Sequence, residues 1–471
     1  MKIKVTKKDI SSVSHAYVRL ALIEKGTEHF VKEGEIQTLN IVAGKFEKIT
    51  PRTLRTLVRG IVQSVKKHKV EKVVWELSPE TFPQTSSYGE TWFWSTIAEN
   101  LILANYEHTQ YKSKKSKYQF VEILIITSHE KNAMEGIARG SIVSESANIC
   151  RDIANTSGGE MTPQMLANMA KKYCANAHTK VTVLDEKMMT KLGMGGVLGV
   201  GQGSKYKPRF IIVEYNGLKN SASKAGKKDI AGPIVFVGKG ITFDTGGLQI
   251  KPGMAMYDMH MDMSGGAAVI ASIHAIAKLG LKKHVIGLIP AAENAVSDEA
   301  IRPGDVLTMM SGKTVEVLHT DAEGRIVLAD ALHYAQRYNP SLVVDVATLT
   351  GAAGVAVGQH AHVIITKDRM LEDRFRELGE ESGDYTFPLP LWDEYMPYIK
   401  GTHADISNIA SGDSRYGGTI IGAVFLSHFT KKMPWVHIDM APRMTPAPSD
   451  KLAKGATGEP TRLLVKIAET F

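Results

Sequence analysis

The chain has 471 residues, a formal charge of +8, two cysteines and 42 glycines. With 43 % hydrophobic and 23 % charged residues it has the balance of an ordinary globular chain, which excludes bulk disorder, and its length calls for roughly two or three domains. No apolar run nears the roughly 18 residues that span a bilayer, and no apolar segment follows the basic start of residues 1–8, so neither a membrane span nor a signal peptide is expected and the expected address is cytoplasmic.

In chain order, residues 16–23, 70–75 and 120–126 are β-branched or apolar runs of strand length, and residues 53–67 and 91–104 carry helical apolar spacing. Such alternation predicts an α/β unit with a largely parallel sheet. A helical pattern over 132–154 leads into the turn-rich Asn155-Thr-Ser-Gly-Gly, and Thr162-Pro163 reads as an N-cap with proline at the first helical position. The expected organisation is an N-terminal domain over 1–132, a connecting helix over 133–155 and a larger domain over 156–471. In that larger part 210–215, 234–237, 285–290, 342–346, 362–366 and 435–440 read as buried strands, separated by helical patterns over 265–279, 326–338 and 419–432. The Ser/Ala/Gly/Lys-rich stretch 219–228 reads as an exposed loop.

Cys150 and Cys174 form no disulfide framework and read as small buried hydrophobes of a reducing compartment. The charge is unevenly placed: residues 1–150 hold 22 Lys and Arg against 16 Asp and Glu, the remainder 35 against 33. The densest run is Lys112, Lys114, Lys115 and Lys117. A basic first third opens a nucleic-acid alternative, although a short lysine run is more often a solvated turn.

Three familiar signatures fail on spacing. Gly199-Val-Gly-Gln-Gly-Ser-Lys205 lacks the gap and ending of a phosphate loop, His129-Glu130 lacks the second histidine of a thermolysin-like zinc helix, and Ser264 is not flanked as a nucleophile elbow. The polar residues that remain inside apolar, glycine-rich context fall in two segments. The first runs from Lys239 past the end of a strand through Asp244, Gly246-Gly247 and Lys251 to Asp262, just ahead of Ser264-Gly-Gly and a helix. Loops at strand carboxyl ends are where α/β sheets place ligands. The second is His319-Thr-Asp-Ala-Glu-Gly-Arg325, whose Asp321 and Glu323 at i, i+2 would share one face of an extended backbone with Arg325 on the same parity. Any single acid here is accounted for as a cap or turn residue. Asp244, Asp262, Asp321 and Glu323 taken together, with no Cys or His among them, suit hard-oxygen ligation of a two-metal site. A lysine joins such a site only as a neutral amine.

At these residues the sequence resembles the leucyl aminopeptidase family, the M17 cytosol aminopeptidases, whose signature Asn-Thr-Asp-Ala-Glu-Gly-Arg is matched by residues 319–325 with His319 in place of Asn. Arg302-Pro-Gly-Asp-Val, Val327-Leu-Ala-Asp-Ala and His437-Ile-Asp-Met-Ala also look like the family, and the likeness is strong over about residues 135–471. It implies an α/β fold of two domains, the larger with a mixed central sheet flanked by helices. The implied activity is a metallo-exopeptidase that releases leucine-like N-terminal residues from peptides with two divalent ions (Zn²⁺ or Mn²⁺, with Mg²⁺ acceptable at one site). By the same resemblance Lys239, Asp244, Asp262 and Glu323 hold one ion, and Asp244, Asp321 and Glu323 the other. Lys251 polarises the scissile carbonyl, and Arg325 holds a bicarbonate ion. Met259, Thr348, Gly351, Ala441 and Met444 line the first side-chain pocket. A homohexamer is implied, and some members also bind DNA. Besides His319, the departures are His260 for the usual Lys, Thr245 for Ser, and Ser157-Gly-Gly for a proline-containing turn. The two histidines flank the expected site.

Overall fold

A computed structural model describes residues 1–114, 118–218, 232–411, 416–431 and 433–471. Lys115 and Lys117 of the basic run, the 219–228 stretch and Lys432 lie outside the described residues. The chain forms two compact units, one of Met1–Asn148 with Pro446–Lys454 and the other of Ile149–Thr445 with Gly455–Phe471.

The first unit contains strands β1 (Lys2–Thr6), β2 (Val18–Ile23), β3 (His29–Glu33) and β4 (Ile36–Val42), helix α1 (Pro51–Lys67), β5 (Lys72–Glu76), α2 (Glu90–Asn105) and β6 (Glu122–Ile126). Helix α3 (Glu130–Ala154) begins in it. Its sheet has the order β1-β6-β5-β2-β4-β3, parallel throughout except for β3. α1 forms where the sequence supplies every local cue. Thr50 caps it through a hydrogen bond accepted from Thr53 N, Pro51 opens it, and Leu54, Val58, Ile61, Val62 and Val65 bury one face. Those residues join Val73, Trp75, Trp94 and Ile123 in one core. β1, β3 and β4 escape a reading by apolar runs because they are edge or near-edge strands of mixed polarity, such as Lys-Ile-Lys-Val-Thr in β1.

The second unit continues with α4 (Pro163–Tyr173), β7 (Thr179–Leu184), α5 (Glu186–Lys191), α6 (Gly195–Gly201), β8 (Arg209–Asn216), β9 (Ile234–Gly238), β10 (Gly240–Asp244), α7 (Ser264–Leu279) and β11 (His284–Asn294). Then follow β12 (Val306–Thr308), β13 (Thr314–Glu316), α8 (Glu323–Ala335), β14 (Leu342–Ala347), α9 (Gly351–Val357), β15 (His362–Ile365), α10 (Arg369–Ser382) and β16 (Thr386–Pro388). The unit ends with β17 (Ile406–Ser407), α11 (Gly418–Ser427), β18 (Trp435–Asp439) and α12 (Thr461–Thr470). Its main sheet runs β16-β15-β18-β14-β9-β11-β8-β7, with β10 paired to β11. β18, β14, β9 and β11 are mutually parallel, whereas β15 runs antiparallel to β18 and β8 antiparallel to β11 and β7, so the sheet is mixed. β9 and β14, apolar but for Asp345 in β14, are buried along their whole length, as central parallel strands require. Val235 and Val237 of β9 share one core with α6, α8 and α11, while α7 lies against β9 and β11. Thr162 caps α4 as its sequence predicts, accepting from Met165 N.

Two expectations are corrected. Asp321 and Glu323 do not lie on an extended strand, because Glu323 is the first residue of α8 and Asp321 sits in the turn before it. The helical pattern over 326–338 starts earlier, at Glu323, and closes as a 3-10 turn over Gln336–Tyr338.

Asp330 on α8 is fully buried, and its carboxylate accepts from Gly196 N (2.8 Å) and Val197 N (3.0 Å) at the start of α6 and from Met310 N (2.8 Å). Asp330→Ala strands two buried donors and the part-buried Met310 N–H. It is expected to lower the unfolding free energy by at least about 3 kcal/mol in urea denaturation.

Candidate active site

Four backbone segments converge at the carboxyl end of the central parallel strands. Lys239 follows β9 directly, and Asp244 is the last residue of β10. The chain turns away from Asp244 through Gly246 and Gly247 at φ +87° and +65°, a conformation that disfavours side chains, and Gly246 N donates to Asp244 Oδ1 at 2.9 Å. α7 approaches the sheet so closely at Gly265 that a Cβ there would stand 2.1 Å from Val346 O. That close approach carries Asp262, two residues ahead of the helix, to Lys239. The turn after β13 supplies Asp321, and α8 supplies Glu323 and Arg325.

The side chains meet in a dense charge cluster. Carboxylate oxygens of the buried Asp244, Asp262 and Glu323 lie within 4.8 Å of one another. Lys239 Nζ stands 2.9 Å from Asp262 Oδ1, 2.8 Å from Asp262 Oδ2 and 2.9 Å from Glu323 Oε1, and donates to Thr348 O at 3.1 Å. Lys251 Nζ lies 2.9 Å from Asp244 Oδ2 and also donates to Asp321, so Lys251 ties Asp321 to the trio.

Burial pushes the Asp262 carboxyl well above its ordinary range, with the charges of Asp244 and Glu323 adding to the rise and Lys239 opposing it. Asp321 is pushed up to about 7, first by burial and then by Asp244 and Glu323. Burial acts to lower both ammonium groups, but the surrounding carboxylates prevail and hold Lys239 and Lys251 above the usual lysine range. Arg325 is lowered to about 10 by burial, and its Nη1 donates to Asn408 O at 2.8 Å.

This donor set fits divalent cations. Two ammonium groups face four carboxylates, which leaves a negative surplus in a buried place, and Glu323 Oε2 is buried without a hydrogen-bond partner. Hard cations with oxygen ligands satisfy both features.

A cavity of about 310 Å³ opens beside the cluster, lined by Lys251, Asp321, Arg325, Gly351, Ile409 and Ile421 among others. Of the five residues expected to line a side-chain pocket, Gly351 borders this cavity. Thr348 instead turns its hydroxyl to Asp262 Oδ1 at 2.7 Å. Met259 opens the 3-10 turn Met259–Met261 ahead of Asp262, and Ala441 and Met444 sit on the turn after β18. His319 borders the cavity and accepts the Asp321 N–H at Nδ1 (3.1 Å), and burial, then Lys251, lowers its proton affinity. His260 is half-buried on the turn with Met259.

Three amide side chains that sequence reasoning missed brace the cluster. Asn294 Nδ2 donates to Asp244 Oδ1 (2.8 Å) and Thr320 O (3.1 Å). Asn408 Oδ1 accepts from Leu318 N (2.8 Å) and His319 N (3.2 Å). Gln249 Oε1 accepts from Thr320 N at 2.7 Å. A lone amide at the end of a strand carries no spacing signal, so only the folded chain reveals them.

Comparison with known proteins identifies the family. Residues 148–465 match the family model "Cytosol aminopeptidase family, catalytic domain", and residues 37–115 match the model of the same family's N-terminal domain. A protein from Paraburkholderia phymatum described as a probable cytosol aminopeptidase is 38 % identical over 92 % of this chain and 83 % of its own length. Among solved structures, the bottromycin maturation enzyme BotP in complex with Mn superposes with a TM-score of 0.83 at 30 % identity, covering 96 % of this chain and 99 % of that one. A mutant tomato leucine aminopeptidase superposes with a TM-score of 0.87 at 25 % identity, covering 100 % and 97 %. The chain belongs to the cytosol aminopeptidase family and is a metal-dependent aminopeptidase, a hydrolase of the metallo-exopeptidase class.

Proposed function

We propose that the enzyme releases N-terminal residues, leucine-like ones preferred, from peptides by attack of water activated between two divalent ions. The observation that carries this is the buried meeting of Asp244, Asp262 and Glu323 with Lys239 and Lys251 beside an open cavity. Lys239, Asp244, Asp262 and Glu323 would hold one ion, and Asp244, Asp321 and Glu323 the other. The ions, Zn²⁺ or Mn²⁺ with Mg²⁺ acceptable at one site, supply Lewis acidity and a water of lowered pKa.

The chain's own groups do the rest. Lys251 presents its ammonium at the cavity wall, where it donates to the carbonyl oxygen as that oxygen gains charge. Arg325, buried and fixed through Asn408, would hold a small oxyanion such as bicarbonate through its guanidinium N–H groups, and such an anion would supply a general base. Apolar Met259 and Met444 with the small Thr348, Gly351 and Ala441 suit a leucine- or methionine-like side chain. The assembly proposed is a homohexamer, which a light-scattering mass near one subunit would overturn. The proposed address is the cytosol, and among the described residues no helix is long and apolar enough to cross a membrane.

Turnover of leucine p-nitroanilide is expected to vanish on exhaustive chelation and to return with Mn²⁺ or Zn²⁺. Activity that survives complete metal removal overturns the metal assignment. A substrate panel in which alanine or arginine outranks leucine and methionine overturns the side-chain preference.

A further inference from the structure

Asp439 ends β18 and is wholly buried, yet it belongs neither to the carboxylate cluster nor to the cavity lining. Its Oδ1 accepts from Leu349 N at 3.1 Å and from Ala441 N at 3.2 Å, and its Oδ2 accepts from Thr350 Oγ1 at 2.7 Å. Thr350 in turn caps α9 by accepting from Ala353 N at 3.2 Å, and its hydroxyl lies 2.8 Å from Thr419 Oγ1 on α11.

One carboxylate therefore ties together two pieces of backbone just past the end of the β14–β18 ladder, whose last pair is Ala347 and Asp439 and beyond which Met440 N donates to Ala347 O at 2.8 Å. The first is the 348–351 segment, which leaves β14 and starts α9. The second is the turn that begins at Ala441. These segments carry Thr348, Gly351, Ala441 and Met444, four of the five residues proposed to face the substrate side chain. The 348–351 segment also reaches the charge cluster, because Thr348 donates to Asp262 and accepts from Lys239. A buried carboxylate is costly where a neutral acceptor would satisfy a single donor. Here three donors from two segments converge, and an acceptor with two oxygens and no hydrogens of its own meets all of them.

We propose that Asp439 is a positioning residue for substrate selection: by clamping the 348–351 segment to the 441 turn, it sets the width of the pocket that receives the N-terminal side chain. This deepens the proposed function and rests on its assignment of that pocket. The clamp predicts a loss of discrimination when it is released, since a pocket wall free to shift by an ångström no longer separates side chains that differ by a few methylenes.

The test compares Asp439→Ala, Asp439→Asn, Thr350→Val and the pocket variant Met444→Ala with the wild-type holoenzyme. Each is assayed on leucine, methionine and alanine p-nitroanilides, with metal content and melting temperature recorded. In Asp439→Ala, KM for the leucine substrate should rise roughly tenfold and the leucine-to-alanine ratio of kcat/KM should fall at least about fivefold. Asp439→Asn should recover most of that ratio, because an amide keeps one acceptor oxygen and the Thr350 hydroxyl can accept from its NH₂. Thr350→Val should show an intermediate loss, and it carries the test if Asp439→Ala does not fold. A mere loss of stability lowers the melting temperature and leaves the ratio alone. If Met444→Ala shifts the ratio while the Asp439 and Thr350 variants do not, the clamp is overturned and the pocket assignment stands. If none of the four shifts it, the pocket assignment falls and the clamp with it.

Discussion

Replacing Lys251 by methionine is expected to lower kcat on leucine p-nitroanilide by roughly 10³-fold or more, with a much smaller change in KM. The side chain is mostly buried, and its ammonium is held by Asp244 at 2.9 Å and by Asp321, so it occupies a defined place at the cavity wall. A donor fixed in advance costs no reorganisation when charge develops on the substrate oxygen, and in a partly dry site its interaction is stronger than in water. Methionine keeps length and apolar bulk and removes only the donor and the charge. Lys251→Arg is not expected to rescue, since a planar guanidinium does not fit the point between two carboxylates that an ammonium occupies. Steady-state kinetics on protein of verified metal content checks this, and a kcat within tenfold of wild type would remove Lys251 from the chemistry.

Much of this site was legible in the sequence because its chemistry is concentrated. Asp321, Glu323 and Arg325 fall within five residues, and Lys239, Asp244, Lys251 and Asp262 punctuate one glycine-rich stretch beside an apolar strand. Residue type and glycine context survive in one dimension, and so does the pairing of Gly246-Gly247 with a sharp turn after Asp244. The i, i+2 geometry did not survive. The parity rule holds for a strand, whereas Glu323 starts a helix, and its meeting with Asp244 and Asp262 depends on how α8 and α7 seat on the sheet. The bracing amides Asn294, Asn408 and Gln249 and the clamp Asp439 were invisible for a related reason: each works by hydrogen bonds to backbone of distant sequence, Asn408 to Leu318 for example.

The fold divides along the same line. Central strands such as β9 and β14, buried on both faces, announce themselves as apolar runs, and α1 carries cap, proline and stripe together. Short or edge strands such as β12, β16 and β17 span two or three residues and have no period to detect. Helix α6 is mostly glycine and valine, against its own propensity, and forms because its N-terminal amides find the Asp330 carboxylate.

The other large effect concerns stability. Arg443 and Glu459 are both buried and form a two-pronged pair, Nε to Oε2 at 3.0 Å and Nη2 to Oε1 at 2.6 Å, with His362 Nε2 at 3.2 Å from the same carboxylate. Burial alone would raise the Glu459 carboxyl, but the charge of Arg443 and the hydrogen bond from His362 hold it well below its usual value. A carboxyl depressed in the folded state stabilises the fold above its unfolded pKa, near 4.5, and that contribution is lost as pH falls through the folded pKa. The native protein should thus lose stability progressively below about pH 4.5. Arg443→Met removes the two-pronged partner and leaves the buried carboxylate to His362 and the more distant Arg462 Nη2 at 3.7 Å, which is expected to cost about 3–5 kcal/mol in urea denaturation at pH 7. The double variant Arg443→Met, Glu459→Gln removes the stranded charge and should regain a large part of that loss, and its acid sensitivity should be weaker than that of the wild type. If the single variant loses less than about 1 kcal/mol, or if the double variant is no more stable than the single, the pair is not what holds this part of the second unit together.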